Sequence, residues 1–368
     1  MTANVRSYSI AVIPGDGIGK EVVPEGLRVL EAAARLYGFT LRQDFHDFSS
    51  CDYYLEHGRM MPDDWQERLI GSDAIFFGAV GWPATVPDHV SLWGSLLQIR
   101  RQFDQYVNLR PARLFAGVPC PLAGRAPGDI DLLIVRENTE GEYSSVGGRM
   151  FEGTEREIVL QETVMTRRGV DRILRFAFET ARTRPRRHLT SATKSNGLAI
   201  SMPYWDERFA EMAMNYPDVS VDKQHIDILA ANFVLKPDSF DVVVGSNLFG
   251  DILTDEAAML SGSMGLLPSA SLGDGRNRFG KPRGLYEPIH GSAPDIAGQN
   301  NANPLATILS LAMMLRHSFG AELEAARIER AVRRVLADGW RTPDIAEPGA
   351  KTVGTVEMGR HVVAALAE

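Results

Sequence analysis

Four short, uninterrupted apolar runs constrain the fold most: Tyr8–Ile13 (YSIAVI), Ala74–Phe77 (AIFF), Asp131–Val135 (DLLIV) and Phe240–Gly245 (FDVVVG). Continuous runs of this length, rich in β-branched residues, read as strands buried on both faces. The first leads straight into Pro14-Gly15-Asp16-Gly17-Ile18-Gly19 and then into an apolar-periodic stretch with Val23, Leu27, Leu30 and Ala34 at helical spacing. Strand, Gly-rich turn and helix form the opening of an α/β unit. Pro24 fits that helix only near its first turn. The turn is not a dinucleotide fingerprint, because its glycines stand at 15, 17 and 19 without the third at the required offset.

The rest of the chain alternates in the same way. Phe39–Phe45, Gln105–Arg113, His188–Ala192 and Val219–Ile226 read as further strands. Pro62–Leu69, Val90–Phe103, Gly169–Arg182, Met202–Met214, the stretch after Asn247, Leu305–Leu315 and Leu323–Leu336 read as helices. Between Ser144 and Thr166 the helical signal lapses, and Glu157–Thr163 alternates, as in a β-arm that pairs with another subunit. The 368 residues suffice for two domains. A net charge of −8, from 39 Lys+Arg against 47 Asp+Glu, speaks against a nucleic-acid or anionic-membrane partner. Cys51 and Cys120 lack metal-ligand spacing and are too few for a disulfide framework, which fits a reducing cytoplasm. The apolar run at the N-terminus is too short for a signal peptide or a membrane span.

Charged residues collect at the ends of these elements. Asp251 and Asp255 stand four apart, on one face of a helix. Like charges at that spacing disfavour a bare helix by about 0.2–0.5 kcal/mol, and a divalent cation between them reverses the sign. All-oxygen ligands suit Mg²⁺ or Mn²⁺; solvated acids in a first helical turn are the alternative. Asp227 fits either a helix N-cap or a third carboxylate ligand. Arg100, Arg110 and Arg136 each end an apolar element, where bidentate capture of carboxylates is one role and a surface ion pair another. Lys194, in Thr193-Lys194-Ser195-Asn196, is either a base or an exposed lysine. The loop Gly284–Gly298 carries small residues that let a ligand approach the backbone, and Asp295 can grip a ribose diol.

Six motifs occur in order along nearly the whole chain: IPGDGIG at 13–19, NLRP at 108–111, RENTEGEY at 136–143, TKSN at 193–196, GDILTD at 250–255 and EPIHGSAPDIAG at 287–298. Together they closely resemble the β-decarboxylating dehydrogenases, which include isopropylmalate, isocitrate, homoisocitrate and tartrate/D-malate dehydrogenases. The resemblance implies two α/β domains sharing a large mixed sheet, unrelated to the Rossmann fold. It implies an outer domain of residues 1–107 and 260–368, and a central domain of residues 108–259 with an arm near 145–165 that completes a homodimer. The active sites are then shared between subunits, with Lys194 and Asp227 contributed by the neighbour. It further implies Mg²⁺ or Mn²⁺ on Asp227, Asp251 and Asp255, substrate carboxylates on Arg100, Arg110 and Arg136, and Tyr143 with Lys194 as the acid–base pair. Cofactor contacts fall on Ile13, Glu287, His290, Gly291, Ser292, Ala293, Asp295 and Asn303. Asp295-Ile296 stands where NADP-dependent members carry Lys and usually Tyr, so NAD is expected.

The helix before Arg100 selects the substrate in such enzymes. Here Leu96 and Leu97 are retained, but Trp93 stands where isopropylmalate dehydrogenases place Glu. A bulky Trp93 beside Leu97 shrinks the pocket for the C3 substituent, and the segment looks most like the tartrate/D-malate branch. The expected reaction is oxidation of a small 2-hydroxy dicarboxylate at C2, with β-decarboxylation of the keto acid. Some members of that branch also need a monovalent cation such as K⁺. Isopropylmalate oxidation and a catalytically silent regulatory subunit are the competing expectations.

Overall fold

The structure, a computed structural model, describes residues 6–368. Its strands are β1 (Ser7–Gly15), β2 (Thr40–Phe45), β3 (Ala74–Ala79), β4 (Val107–Arg113), β5 (Asp131–Glu137), β6 (Gly147–Met150), β7 (Ile158–Gln161), β8 (His188–Thr193), β9 (Ser220–His225), β10 (Val242–Gly245), β11 (Pro268–Leu272) and β12 (Leu285–Pro288), with a short pair, β13 (Trp340–Arg341) and β14 (Lys351–Thr352). The chain divides into two compact units. One comprises residues up to 105 with 113–128 and 258–368, and the other residues 106–112 and 129–257. Segment 113–128 therefore goes with the chain termini, whereas the motif boundaries group it with the centre.

In the unit holding the termini, five strands run in the order β2-β1-β3-β12-β11. The pairings are parallel except β12 with β11, which is antiparallel. The apolar runs account for its centre, where Val12 and Tyr286 both lie opposite Phe76 and all three are fully buried. Helix Gly19–Tyr37 covers this sheet through Val22, Val23, Leu27 and Leu30. Pro24 lies in its second turn, deeper than the sequence reading allowed. Helix Leu305–His317 is buried on every side from Leu305 to Leu315, as an all-round apolar helix must be.

Two elements differ from expectation here. Val90–Phe103 is two helices, Asp88–Trp93 and Leu96–Gln102, rather than one. The chain breaks at Gly94-Ser95, where a Cβ on Gly94 would lie 2.7 Å from Met60 Cγ. The Ser95 hydroxyl turns back to the Ser91 carbonyl. Pro268–Leu272, which carries no strand signal in the sequence, is a fully buried strand.

The second unit holds strands in the order β4-β5-β10-β8-β9, with β5, β10, β8 and β9 all parallel. Helix Arg167–Thr183 begins at Thr166, whose hydroxyl accepts the Gly169 N–H at 2.9 Å. It buries Val170, Ile173, Leu174, Ala177, Phe178 and Ala181, one stripe at helical period. Phe178 stacks on Phe209 and Tyr216, with ring centroids 5.4 and 4.7 Å away. Strands β6 and β7 pair antiparallel by themselves, and all eight of their residues are exposed. Among the described residues no helix is long and apolar enough to cross a membrane.

Truncating Phe178 leaves a cavity between three packed rings. Phe178→Ala should lower stability by about 3–5 kcal/mol. The check is urea unfolding followed by the fluorescence of Trp205, a buried tryptophan of the same unit.

Candidate active site

Register builds the first cluster. Strands β5 and β10 are parallel neighbours with Arg136 opposite Gly245, so their carboxyl ends coincide. The turn Glu137–Tyr143 and the start of helix Asn247–Leu260 therefore leave the sheet side by side. Ligands of open α/β sheets gather at such strand ends. Gly250 allows the close approach, since a Cβ there would lie 2.6 Å from Arg136 Cβ.

Asp251 is the meeting point. Its Oδ1 accepts from Arg136 Nη1 and, at 3.3 Å, from Arg110 Nη1. Its Oδ2 accepts from the Tyr143 hydroxyl at 2.7 Å. Both guanidiniums are buried, while Asp251 keeps about a third of its side chain exposed, at 32%. Arg136 also reaches Asn247 Oδ1 from Nε at 3.0 Å and Nη2 at 2.6 Å, and Asn247 Nδ2 donates to the Glu140 carbonyl at 2.9 Å. Burial, and then the Asp251 charge, push the Tyr143 hydroxyl up to about 12. Surrounding protein and then the Asp251 charge also hold Asp255 above the ordinary carboxylate range, although its side chain reaches solvent.

Two carboxylates four apart on one helix face, one of them held uncomfortably charged, form a donor set that a hard divalent cation suits. Among the described residues, no three His, Cys, Asp or Glu side chains gather to hold a metal. Asp227 is not part of this cluster. It lies in the first turn of helix Ile226–Leu235 but is not its cap, a place taken by His225. Its carboxylate pairs instead with Lys194 at 3.0 Å, and that ammonium pulls the Asp227 carboxyl down.

Other predicted residues lie in the unit holding the termini. Arg100 Nη2 donates to Glu287 Oε1 at 2.7 Å in a buried ion pair, and Arg100 Nε is buried with no partner. The Glu287 carbonyl accepts from Ser269 and Ser310 at 3.0 and 2.9 Å, which fixes the end of β12. His290 Nε2 is likewise buried and without a partner, and burial lowers the pKa of the ring. Two buried orphan nitrogens facing no protein acceptor are what a polar ligand would satisfy.

The Gly turn meets this loop directly. Ile18 N–H donates to the Ser292 carbonyl at 2.9 Å, and a Cβ on Gly17 would lie 2.0 Å from that oxygen. Gly17 is thus required by contact with the loop, at a backbone φ of +51°. Ala293 also has positive φ, Gly291 and Asp295 are exposed, and Asn303 is buried with Nδ2 on Asp344 at 3.0 Å. Ile13 packs its side chain into the core, so only its backbone reaches the turn. Leu97 is buried, and Trp93 is half-buried with the Arg101 guanidinium 4.5 Å from its ring centroid.

Sequence reasoning missed Asn247, Glu137 and Glu142. Asn at a helix start signals a cap, not a bridge to Arg136, and nothing in the spacing of the two glutamates reveals their partners.

The sequence profile described as isocitrate/isopropylmalate dehydrogenase matches residues 9–362. The chain belongs to this family. It is an oxidoreductase, and it is 62% identical over 345 residues to D-malate dehydrogenase [decarboxylating] of Escherichia coli K12, covering 93% of this chain and 94% of that one. It is 59% identical over 367 residues to tartrate dehydrogenase/decarboxylase of Pseudomonas putida, covering 98% of each. Its fold matches isocitrate dehydrogenase from Methylococcus capsulatus with a TM-score of 0.86 at 34% identity, over 98% of this chain and 100% of that one. The α/β class and mixed strand arrangement expected from the motifs are those of the family.

Glu137 supplies a pH prediction. It is fully buried, and its carboxylate accepts the N–H groups of Thr139 and Glu140 at 3.0 and 2.8 Å. Burial pushes it from 4.5 up to about 7, against those donors. A carboxyl whose folded pKa is raised binds more protons folded than unfolded, so its contribution falls as pH rises from about 4.5 to about 7. Stability of Glu137→Gln relative to wild type should rise across that window and be flat above it, measured by urea unfolding at pH 4.5 to 8.5.

Proposed function

We propose that the chain oxidises small 2-hydroxy dicarboxylates, D-malate and tartrate, at C2 and decarboxylates the resulting β-keto acid, using NAD and Mg²⁺ or Mn²⁺. The observation that carries this reading is near-full-length identity of 62% and 59% to enzymes named for those substrates. The cluster on Asp251 supports it chemically. Arg110 and Arg136 are buried guanidiniums suited to a substrate carboxylate, and Arg100 offers a third with an unsatisfied Nε. Asp251 and Asp255 would hold the cation, with Asp227 of a second copy as third ligand in a homodimer. When bound, the cation supplies Lewis-acid polarisation of the C2 oxygen. NAD would supply the hydride acceptor, and it is favoured over NADP because the acidic Asp295 would accept from ribose hydroxyls and repel a 2′-phosphate.

The chain's own groups move the protons. Lys194, in this arrangement the second copy's, takes the hydroxyl proton as the hydride leaves. Tyr143, kept protonated by its surroundings, then delivers a proton to the carbon that loses CO₂. A donor whose hydroxyl stays protonated to about 12 is always loaded at neutral pH. The bulk of Trp93, steadied by Arg101, supports a small C3 substituent, hydrogen or hydroxyl.

The test is NADH formation with purified protein, NAD⁺, Mn²⁺ and K⁺, against D-malate, L-tartrate, meso-tartrate, 3-isopropylmalate and isocitrate. Turnover of D-malate and tartrate with little of isopropylmalate is expected, and NADP⁺ should support far less. Preference for isopropylmalate would overturn the substrate assignment, and no turnover of any would leave a regulatory subunit. Tyr143→Phe should lower kcat by about 10²–10⁴ with little change in KM.

A further inference from the structure

Glu142 stands beside Tyr143 and has a separate pair of contacts. Its Oε1 accepts the Ser246 hydroxyl at 2.7 Å, and its Oε2 accepts the Leu248 N–H at 3.0 Å. Leu248 is the second residue of helix Asn247–Leu260. Its N–H is among the first four, which have no partner within the helix. A carboxylate there also faces the positive end of the helix dipole. The first turn of this helix is thus met by a carboxylate from the turn that follows β5.

The next residue reaches one turn further along the same helix, where the Tyr143 hydroxyl donates to Asp251. Leu248 and Asp251 are three residues apart, about 4.5 Å along the axis at 1.5 Å per residue. The Glu142-Tyr143 dipeptide thus grips the end of the helix with one side chain and its acidic face, one turn further on, with the next. Before it comes Gly141 at φ +86°, tied to Val164 by a pair of backbone hydrogen bonds at 2.7 and 3.0 Å.

We propose that Glu142 is a positioning residue that fixes the Tyr143 hydroxyl in register on Asp251 by clamping the Ser246–Leu248 end of the helix. This rests on the reading of Tyr143 as proton donor. It deepens that reading, because the donor's reach is then set by a neighbour that touches neither substrate nor cofactor. Glu142→Ala removes both contacts, one to the hydroxyl of buried Ser246 and one to the N–H of half-buried Leu248, so its folding is checked beside that of the conservative variant. Glu142→Gln keeps one acceptor for Leu248 and a donor that Ser246 can accept.

The experiment is a cycle of Glu142→Ala, Tyr143→Phe and the double variant, with Glu142→Gln as rescue. Acting through Tyr143, Glu142→Ala should lower kcat roughly 10- to 100-fold with KM for the hydroxy acid nearly unchanged. It should add nothing in the Tyr143→Phe background, and Glu142→Gln should recover most of the loss. Multiplying effects in the double variant, or a loss seen only in KM, would overturn the proposal. A second readout needs no turnover: ¹⁹F NMR of metal-free protein labelled with 3-fluorotyrosine. The Tyr143 resonance, identified by its loss in Tyr143→Phe, should move in Glu142→Ala and return in Glu142→Gln, and an unmoved resonance would overturn the proposal. If wild type turns over no hydroxy acid, the functional reading fails while the resonance still decides the role of Glu142.

Discussion

Two buried guanidiniums and a phenol converge on the carboxylate of Asp251, and the surrounding segments are arranged to keep them there. Burying Arg110 and Arg136 without a counter-charge would be prohibitive, because a buried ion is tolerated only when paired and hydrogen-bonded. Asp251 supplies the charge, Asn247 satisfies further donors of Arg136, and Asn108 Oδ1 accepts from Arg110 Nε. Removing the carboxylate would strand two cations at once. After burial, the same carboxylate is the next cause that raises the pKa of both Tyr143 and Asp255, so one group ties the local electrostatics and protonation together.

The chain is acidic overall, at net charge −8, yet it concentrates positive charge locally in buried guanidiniums. The buried arginines of the two clusters are paired: Arg110 and Arg136 share Asp251, and Arg100 pairs with Glu287. These pairs hold the guanidiniums in fixed rotamers, so their fork geometry is set before any anion arrives. Preorganisation of that kind lowers the ordering cost of binding.

Much of the architecture was legible because burial on both faces leaves a continuous apolar signature. The four runs became β1, β3, β5 and β10, the interior strands of the two units. The strand Pro268–Leu272 was not legible, since PSASL has no β-branched residue and owes its state to pairing with Leu285–Pro288. The helix break at Gly94-Ser95 was hidden as well: periodicity runs through it, and the close approach of Met60 to Gly94 belongs to another segment. At the site, charged residues at strand ends could be picked out one by one. Their grouping follows from a single register, Arg136 opposite Gly245, which no local pattern encodes. The glutamates of RENTEGEY were opaque for the same reason, as a turn residue's partners belong to another element.

The break at Gly94 separates two duties. In an unbroken helix, residues 93 and 100 would be locked at a fixed angle, and any repacking around Trp93 would rotate the Arg100 guanidinium with it. As two short helices, Asp88–Trp93 and Leu96–Gln102 can be repacked independently, and Arg100 stays anchored by Glu287. Residues 88–93 can thus drift in size and polarity while Arg100 stays on its buried partner Glu287.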